Sequence, residues 1–257
     1  MKIYFLGTCA GTEPMPDRKH MSFAIESSKK VYWFDAGEGC SYTGHNLGID
    51  LLAVKNIFIS HTHMDHVGGL GNLLWNIRKL RYEKQSKPYF GDVELYIPNM
   101  YTWEGLHKLL IHTETGFASD YEVNAHQVEN GVLIDDGIMK VTALKNTHLA
   151  PDNTDARVSY TYKIECEGKT VIYSGDVGKY TDMDEFMKDG CDALIVETGH
   201  FGVDAVWDYT KDKKIGHTYF SHNGREILNN PEASQQKMKD LFNGNATICE
   251  DGMIVEI

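Results

Sequence analysis

One stretch constrains this chain more than any other: Ile59-Ser60-His61-Thr62-His63-Met64-Asp65-His66-Val67-Gly68-Gly69, directly after Asn56-Ile57-Phe58. It packs three histidines and a carboxylate into six positions. A strand that ends in such a cluster offers several ligands from one rigid edge, and the glycines that follow let the backbone turn tightly. His61 and His63 point to one side of a chain that is still extended. Asp65 and His66 come after the turn and can face a second point a few ångströms away. Imidazole nitrogens with a carboxylate suit zinc, and also manganese or iron. The pattern predicts two cations side by side rather than one closed structural site.

The same kind of ending recurs along the chain. Met139–Leu144 leads into Asn146-Thr147-His148, and Lys169–Tyr173 into Ser174-Gly175-Asp176. Ala193–Val196 leads into Glu197-Thr198-Gly199-His200, and His217–Phe220 into Ser221-His222-Asn223-Gly224. Each is a short apolar strand, then a candidate functional residue, then a polar turn. Strand ends that converge in this way are how a sheet-based enzyme builds a rigid site.

Other elements follow from periodicity and turn residues. Residues 2–6 predict a first strand, and Ser22–Glu26 with Lys30–Phe34 a hairpin whose second strand ends in Asp35-Ala36-Gly37. Ser159–Glu165 and Lys169–Tyr173 predict a second hairpin, and Ala246–Cys249 with Met253–Ile257 a closing one over Asp251-Gly252. Helices are expected at 45–54, at 101–111 and from Asn230 to Phe242. Another is expected where Leu70, Leu73, Leu74, Ile77 and Leu80 keep helical spacing. The polar residues of that last helix, Arg78, Lys79, Arg81, Lys84 and Lys87, read as a solvated face rather than a phosphate patch. Residues 112–130 lack periodicity and read as a loop that could close over a pocket.

Composition limits the function classes. The 257 residues carry no Pro/Ser-rich linker or repeat, so one domain over 1–257 is expected. Lys+Arg 25 against Asp+Glu 37 gives a net charge of −12, which does not favour attraction to a nucleic-acid backbone or an anionic membrane. The five cysteines are odd in number and contain no Cys-x-x-Cys, which fits reduced thiols and a cytoplasmic protein. The opening apolar run is too short for a signal peptide or a membrane span.

His-x-His-x-Asp-His after a strand resembles the signature of the metallo-β-lactamase superfamily, mostly dinuclear metallohydrolases. The resemblance implies an α+β fold, a four-layer αβ/βα sandwich of two mixed β-sheets flanked by helices. It implies that His61, His63 and His148 hold one metal, that Asp65, His66 and His222 hold a second, and that Asp176 bridges them. It also implies a supporting, non-ligating role for Asp35, with a turn or cap aspartate as the plain alternative. Leu6-Gly7-Thr8, Ser159-Tyr160, Tyr173-Ser174-Gly175-Asp176 and Phe220-Ser221-His222 resemble the ribonuclease Z and phosphodiesterase branch. Ribonuclease Z carries a long tRNA-gripping arm between the third histidine and the bridging aspartate. Here that interval is 176 − 148 = 28 positions, so no tRNA partner is expected.

Two adjacent divalent cations can bridge a water, lower its pKa and neutralise charge developing on a phosphoryl or carbonyl oxygen. Asp65 is expected to orient that water and accept its proton. A leaving alkoxide needs an acid, and His200 is the first candidate because Glu197 can orient it. The ribonuclease Z acid sits in His-Ser-Thr, whereas this chain reads His200-Phe201-Gly202; His217 and water are the alternatives. Arg18, Arg157 and Arg225 flank the site-bearing segments, and Arg157 is kept as the substrate candidate. The reading is a dinuclear metal-dependent hydrolase, a phosphodiesterase cleaving a small phosphodiester such as a cyclic nucleotide by metal-bridged hydroxide attack. A lactone or thioester hydrolase, or a metal-bound ligand sensor, are the alternatives. A homodimer, which relatives often form, remains open, as does the natural substrate.

Overall fold

The structure, a computed structural model, describes residues 1–83, 91–149 and 157–257. In its first strand, β1 (Lys2–Gly7), Ile3 and Phe5 pack to one side, Tyr4 and Leu6 to the other, and all are buried. A strand buried on both faces needs a layer on each side of its sheet. The rest of the chain supplies those layers.

After β1 come β2 (Ser22–Ser27), β3 (Lys30–Phe34), α1 (Cys40–Asn46), β4 (Val54–Phe58), the one-turn α2 (Met64–Val67), α3 (Leu70–Glu83), β5 (Val93–Ile97), α4 (Met100–Ile111) and β6 (Val123–Gln127). The second half holds β7 (Gly131–Asp135), β8 (Met139–Lys145), β9 (Tyr160–Cys166), β10 (Lys169–Tyr173), α5 (Asp184–Met187) and β11 (Cys191–Thr198). It closes with α6 (Val203–Thr210), β12 (Ile215–Asn223), α7 (Arg225–Asn229), α8 (Pro231–Phe242), β13 (Ala246–Ile248) and β14 (Ile254–Glu256).

Among the described residues the strands form two seven-stranded sheets, β14-β1-β2-β3-β4-β5-β6 and β13-β12-β11-β10-β9-β8-β7. Each is antiparallel at one side and parallel at the other. Between them lies an aromatic core in which Phe23 stacks on Phe34 at 4.8 Å and Phe34 on Phe58 at 4.9 Å, facing Tyr162 and Tyr173. Leu70, Leu73 and Leu74 of α3 and Trp103 of α4 cover the outer face of the first sheet. Val203 and Val206 of α6 with Met238 and Phe242 of α8 cover that of the second. This is the expected four-layer arrangement of two mixed sheets flanked by helices.

The loop after β4 is pinned between the sheets, because Tyr160 N donates to Ser60 O at 3.0 Å and Tyr162 OH to Ile59 O at 2.7 Å. That is why it presents its side chains at the junction of both sheets.

Several local expectations give way. The helix expected at 45–54 is α1, which starts at Cys40 and stops before Gly48, whose φ of 84° breaks it. A separate 3₁₀ turn, Leu51–Ala53, follows, capped by Asp50, whose Oδ1 accepts from Leu52 N at 3.1 Å. The closing hairpin does not form: β13 lies parallel to β12 in one sheet and β14 antiparallel to β1 in the other. Cys249 N bonds to Phe220 O and Gly252 N to Phe5 O, both at 2.8 Å, so the Asp251-Gly252 turn carries the chain across the sandwich.

Arg78 does not belong to a solvated face. It is 3% exposed, donates from Nε to Ala118 O at 2.7 Å and lies over the Tyr82 and Phe117 rings. Lys84 and Lys87 fall outside the described residues. The 112–130 segment contains a 3₁₀ turn, Glu114–Phe117, and β6, which pairs parallel with β5. An edge strand of the composition Val-Asn-Ala-His-Gln is half exposed, so it lacks the apolar alternation that would reveal it. Tyr121 OH, donating to Leu74 O at 2.8 Å, fastens the segment to α3. No helix of the described residues is long and apolar enough to cross a membrane.

Candidate metal centre

Different elements deliver each candidate ligand to one place. His61 sits in the loop after β4, His63 at the N-cap of α2, and Asp65 and His66 within α2. The chain is no longer a strand at 61–63, yet the rings of His61 and His63 remain 4.6 Å apart. His148 follows β8, Asp176 follows β10, and His222 lies near the end of β12 at a φ of 52°. A left-handed backbone at a histidine costs energy that the surrounding packing must supply, a pattern that clusters at functional sites. Gly175 also sits at positive φ, 56°, and a Cβ there would come within 2.6 Å of Tyr160 O, so only glycine lets the backbone deliver Asp176.

The expected ligands resolve into two clusters that share Asp176, and a third group, Asp176, Glu197, His200 and His222, overlaps them. Its Oδ2 is 3.7 Å from both His61 Nε2 and His148 Nε2, and His148 Nε2 is 3.4 Å from His63 Nδ1. Its Oδ1 is 3.2 Å from His66 Nε2 and 3.3 Å from His222 Nε2. Asp65 Oδ2 closes the second cluster at 3.4 Å from His66 Nε2 and 3.1 Å from His222 Nε2.

The residues fit divalent cations. A tetrahedral shell with bonds of about 2.0–2.1 Å spaces its donor atoms about 3.3 Å apart, close to the separations seen here. His61 Nε2, His66 Nε2 and Asp176 Oδ1 are buried with no hydrogen-bond partner among the described residues, which is costly unless something else satisfies them. Nitrogen and carboxylate oxygen donors suit zinc first, then manganese or iron.

Electrostatics differ between the clusters. Burial pushes His61, His63 and His148 below 6.5, with neighbouring histidines adding to the effect, so these imidazoles stay neutral and able to donate a lone pair. Burial also opposes charge on His66, but Asp176 and Asp35 outweigh it and hold that histidine well above its usual range. His222 is pushed up to about 9: burial works against it, and Asp176 with hydrogen bonds to Asp65 and Glu197 prevails. Asp65 and Asp176 are held far below the carboxylate range, because these histidines outweigh the burial that would raise them.

Around the clusters stand groups that orient them. Asp35, at the end of β3, accepts from His66 Nδ1 and Ser60 Oγ at 2.7 Å through Oδ2, and from Ser60 N at 2.6 Å through Oδ1. Tyr173 OH reaches the same Oδ2 at 2.5 Å. Asp182 accepts from Thr147 N at 3.0 Å and Thr147 Oγ1 at 2.7 Å, fixing the turn before His148. Asn146 donates to Asp176 O at 2.9 Å and accepts from His148 N at 3.1 Å. Tyr173, Ser60, Asn146 and Asp182 escaped the sequence reading. Only Tyr173 left a signal, its place in Tyr-Ser-Gly-Asp.

Glu197 is buried and accepts from Val177 N at 2.7 Å, while its Oε2 takes His200 Nδ1 at 2.7 Å. His200 lies against the first cluster, its ring 4.8 Å from that of His148, with its side chain 44% exposed. His217 is elsewhere, its Nε2 bonded to Thr247 Oγ1 at 2.8 Å on β13. Of the arginines, Arg18 donates to Thr8 Oγ1 and Cys249 O at 2.9 and 2.8 Å, and Arg225 pairs with Glu13. Arg157 is exposed just before β9.

Comparison with known proteins adds four relationships. The family described as Anti-Pycsar protein Apyc1 matches residues 1–202. Ribonuclease Z of Methanothermobacter thermautotrophicus is 29% identical over 150 residues, which cover 58% of this chain and 45% of that protein. The chain thus spans about half the length of that relative. Human tRNase Z, short form, superimposes with a TM-score of 0.76 at 19% identity, covering 100% of this chain and 99% of that one. The metallo-beta-lactamase fold protein YhfI of Bacillus subtilis does so with a TM-score of 0.71 at 19% identity, covering 99% of each.

Proposed function

The chain belongs to the Anti-Pycsar protein Apyc1 family, in the ribonuclease Z-like branch of the metallo-β-lactamase superfamily, and we propose that it is a dinuclear metal-dependent phosphodiesterase acting on a small phosphodiester such as a cyclic nucleotide. The observation that carries this reading is the division of the Asp176 carboxylate between two histidine clusters. The family's description as an anti-Pycsar protein fits a cyclic-nucleotide phosphodiesterase.

His61, His63, His148 and Asp176 would hold one cation, and Asp65, His66, His222 and Asp176 the other, with zinc favoured by the donors and manganese or iron as alternatives. Bound there, the cations would supply Lewis acidity, lowering the pKa of a bound water and neutralising charge on the phosphoryl oxygens. Asp65 orients the attacking water and takes its proton. As the new oxygen–phosphorus bond forms, the bond from phosphorus to the sugar oxygen breaks and leaves an alkoxide. His200 protonates that alkoxide from Nε2, because its Nδ1 is engaged by Glu197. His63, His148 and His200 line the open side of the centre, so substrate arrives there.

A small substrate is favoured over tRNA for two reasons. The 28 positions from His148 to Asp176 include β9 and β10, and the net charge of −12 does not attract a polyanion. Five unpaired cysteines support a reducing, cytoplasmic setting.

The test is metal content by mass spectrometry on protein prepared without chelator, with turnover of bis-p-nitrophenyl phosphate and then of cyclic nucleotides. About two divalent ions per chain with phosphodiester cleavage is the expected result. Bound ions without cleavage of any phosphodiester overturn the phosphodiesterase reading and leave lactone or thioester hydrolysis. A chain that takes up no ion overturns the ligand assignment.

A further inference from the structure

Asp35 and Tyr173 come from opposite sheets and meet beneath the metal centre. Asp35 directly follows β3 of the first sheet, fully buried, at a φ of 51°. Its backbone is anchored there: Asp35 N donates to Phe58 O at 2.8 Å, and Asp35 O accepts from Ser22 Oγ at 2.7 Å. Tyr173 ends β10 of the second sheet, is 2% exposed, and stands three residues before Asp176. Its hydroxyl donates to Asp35 Oδ2 at 2.5 Å, the oxygen that also accepts from His66 Nδ1 at 2.7 Å. Burial and the Asp35 carboxylate keep the phenol well above its ordinary range, so it remains a donor.

We infer that Tyr173 is a positioning residue for the second cation site, acting through Asp35 on His66; this rests on the metal reading above. A histidine that binds metal through Nε2 must carry its proton on Nδ1, and the acceptor at Nδ1 fixes both tautomer and ring plane. Here that acceptor is Asp35, and Tyr173 holds it from the other side of the sandwich. One hydrogen bond thus sets the first sheet's half of the site, Asp65 and His66, against the second sheet's half, Asp176 and His222. The first cation site is less exposed to this control, because His61 reaches Asp35 only through Ser60 Oγ, 3.2 Å from His61 Nδ1.

The control is built into the same core. Tyr32 is another fully buried tyrosine, on β3 of the first sheet, and donates across the sandwich to Asp136 Oδ2 at 2.8 Å, with no hydrogen bond to Asp35. Tyr32→Phe therefore removes a comparable tyrosine–carboxylate hydrogen bond while leaving the Asp35–His66 pair intact.

The experiment titrates zinc into metal-free protein against a chromophoric chelator and records the visible spectrum of the cobalt-substituted forms. For Tyr173→Phe, one of two ions is expected to bind about tenfold more weakly, the other within about twofold, with a changed cobalt spectrum. Tyr32→Phe is expected to leave both affinities within about twofold. If Tyr173→Phe does not fold, Tyr173→Met, which also removes the donor to Asp35 Oδ2 and fills the space with a flexible apolar chain, is expected to show the same selective loss. Unchanged binding in the folded Tyr173 variant, or equal loss in Tyr32→Phe, overturns the inference alone. Unmodified protein that holds fewer than two ions overturns it together with the dinuclear reading.

Discussion

Glu197 grips His200 at two points, Oε2 accepting from the ring Nδ1 at 2.7 Å and from the backbone N at 3.1 Å. The hydrogen bond to Glu197 raises the histidine above 6.5 against the opposing effect of burial. An acid works only while protonated, so turnover falls as pH rises through its pKa, and raising that pKa moves the fall upward. Glu197→Gln keeps the shape and removes the charge, so the basic limb of the kcat profile is expected to move to lower pH. Glu197 Oε2 also lies 3.7 Å from His222 Nδ1, so metal content measured on both proteins separates a shift at His200 from a weakened ligand. His200→Ala should cost about 10²–10⁴-fold with an alkoxide leaving group and far less with p-nitrophenolate, which needs no proton. Equal losses on both substrates would remove His200 from the acid role.

Asp176→Asn tests the shared carboxylate. The amide keeps the volume but turns one oxygen into a donor facing a histidine nitrogen 3.2 to 3.7 Å away. Turnover is expected to fall about a thousandfold, with metal content below that of the unmodified protein and an unchanged circular dichroism spectrum. Full activity with full metal content would exclude Asp176 as the bridge.

Gly11 lies against the site from the N-terminal loop. A Cβ at this position would meet Asp65 Oδ2 at 2.9 Å and Cγ at 3.0 Å. Gly11→Ala is therefore expected to displace the Asp65 carboxylate and lower kcat/KM about 10- to 100-fold. The position is exposed, so the thermal midpoint should stay within about 2 °C. Steady-state kinetics beside a thermal melt separates the two effects.

Metal removal should destabilise the fold as well as stop turnover. Each ion present at 100 times its Kd adds about 2.7 kcal/mol, and 1 kcal/mol shifts the midpoint of a domain of this size by about 2–4 °C. A melt with chelator is expected to fall by about 10 °C or more, and to recover when zinc is restored.

Metal affinity should rise with pH. Without a cation His222 is pushed up to about 9 and His66 lies well above its usual range, so both must release a proton to become ligands. Between about pH 6 and 9 the apparent affinity for one ion is expected to increase, with proton release detectable by calorimetry in buffers of different ionisation enthalpy. The three neutral histidines of the other cluster predict a shallower dependence there.

Most strands were legible in the sequence, because apolar alternation and polar turns are local properties, and so were the residues at their ends; β6 and β7 were not. Resemblance to the superfamily marked His61, His63, Asp65, His66, His148, Asp176 and His222 as one set, and the structure gathers all of them. Pairing was not legible. The segments 246–249 and 253–257 look like a hairpin, yet β13 and β14 join different sheets, because period-2 alternation says that a strand forms and not which edge receives it. Arg78 shows the same limit: its helical position is local, while its burial depends on Ala118 O and the ring of Phe117, distant in sequence. The orienting groups were decided last of all. Tyr173 and Asp35, 138 positions apart, become partners only when two sheets stack face to face, and their bond belongs to the packed sandwich.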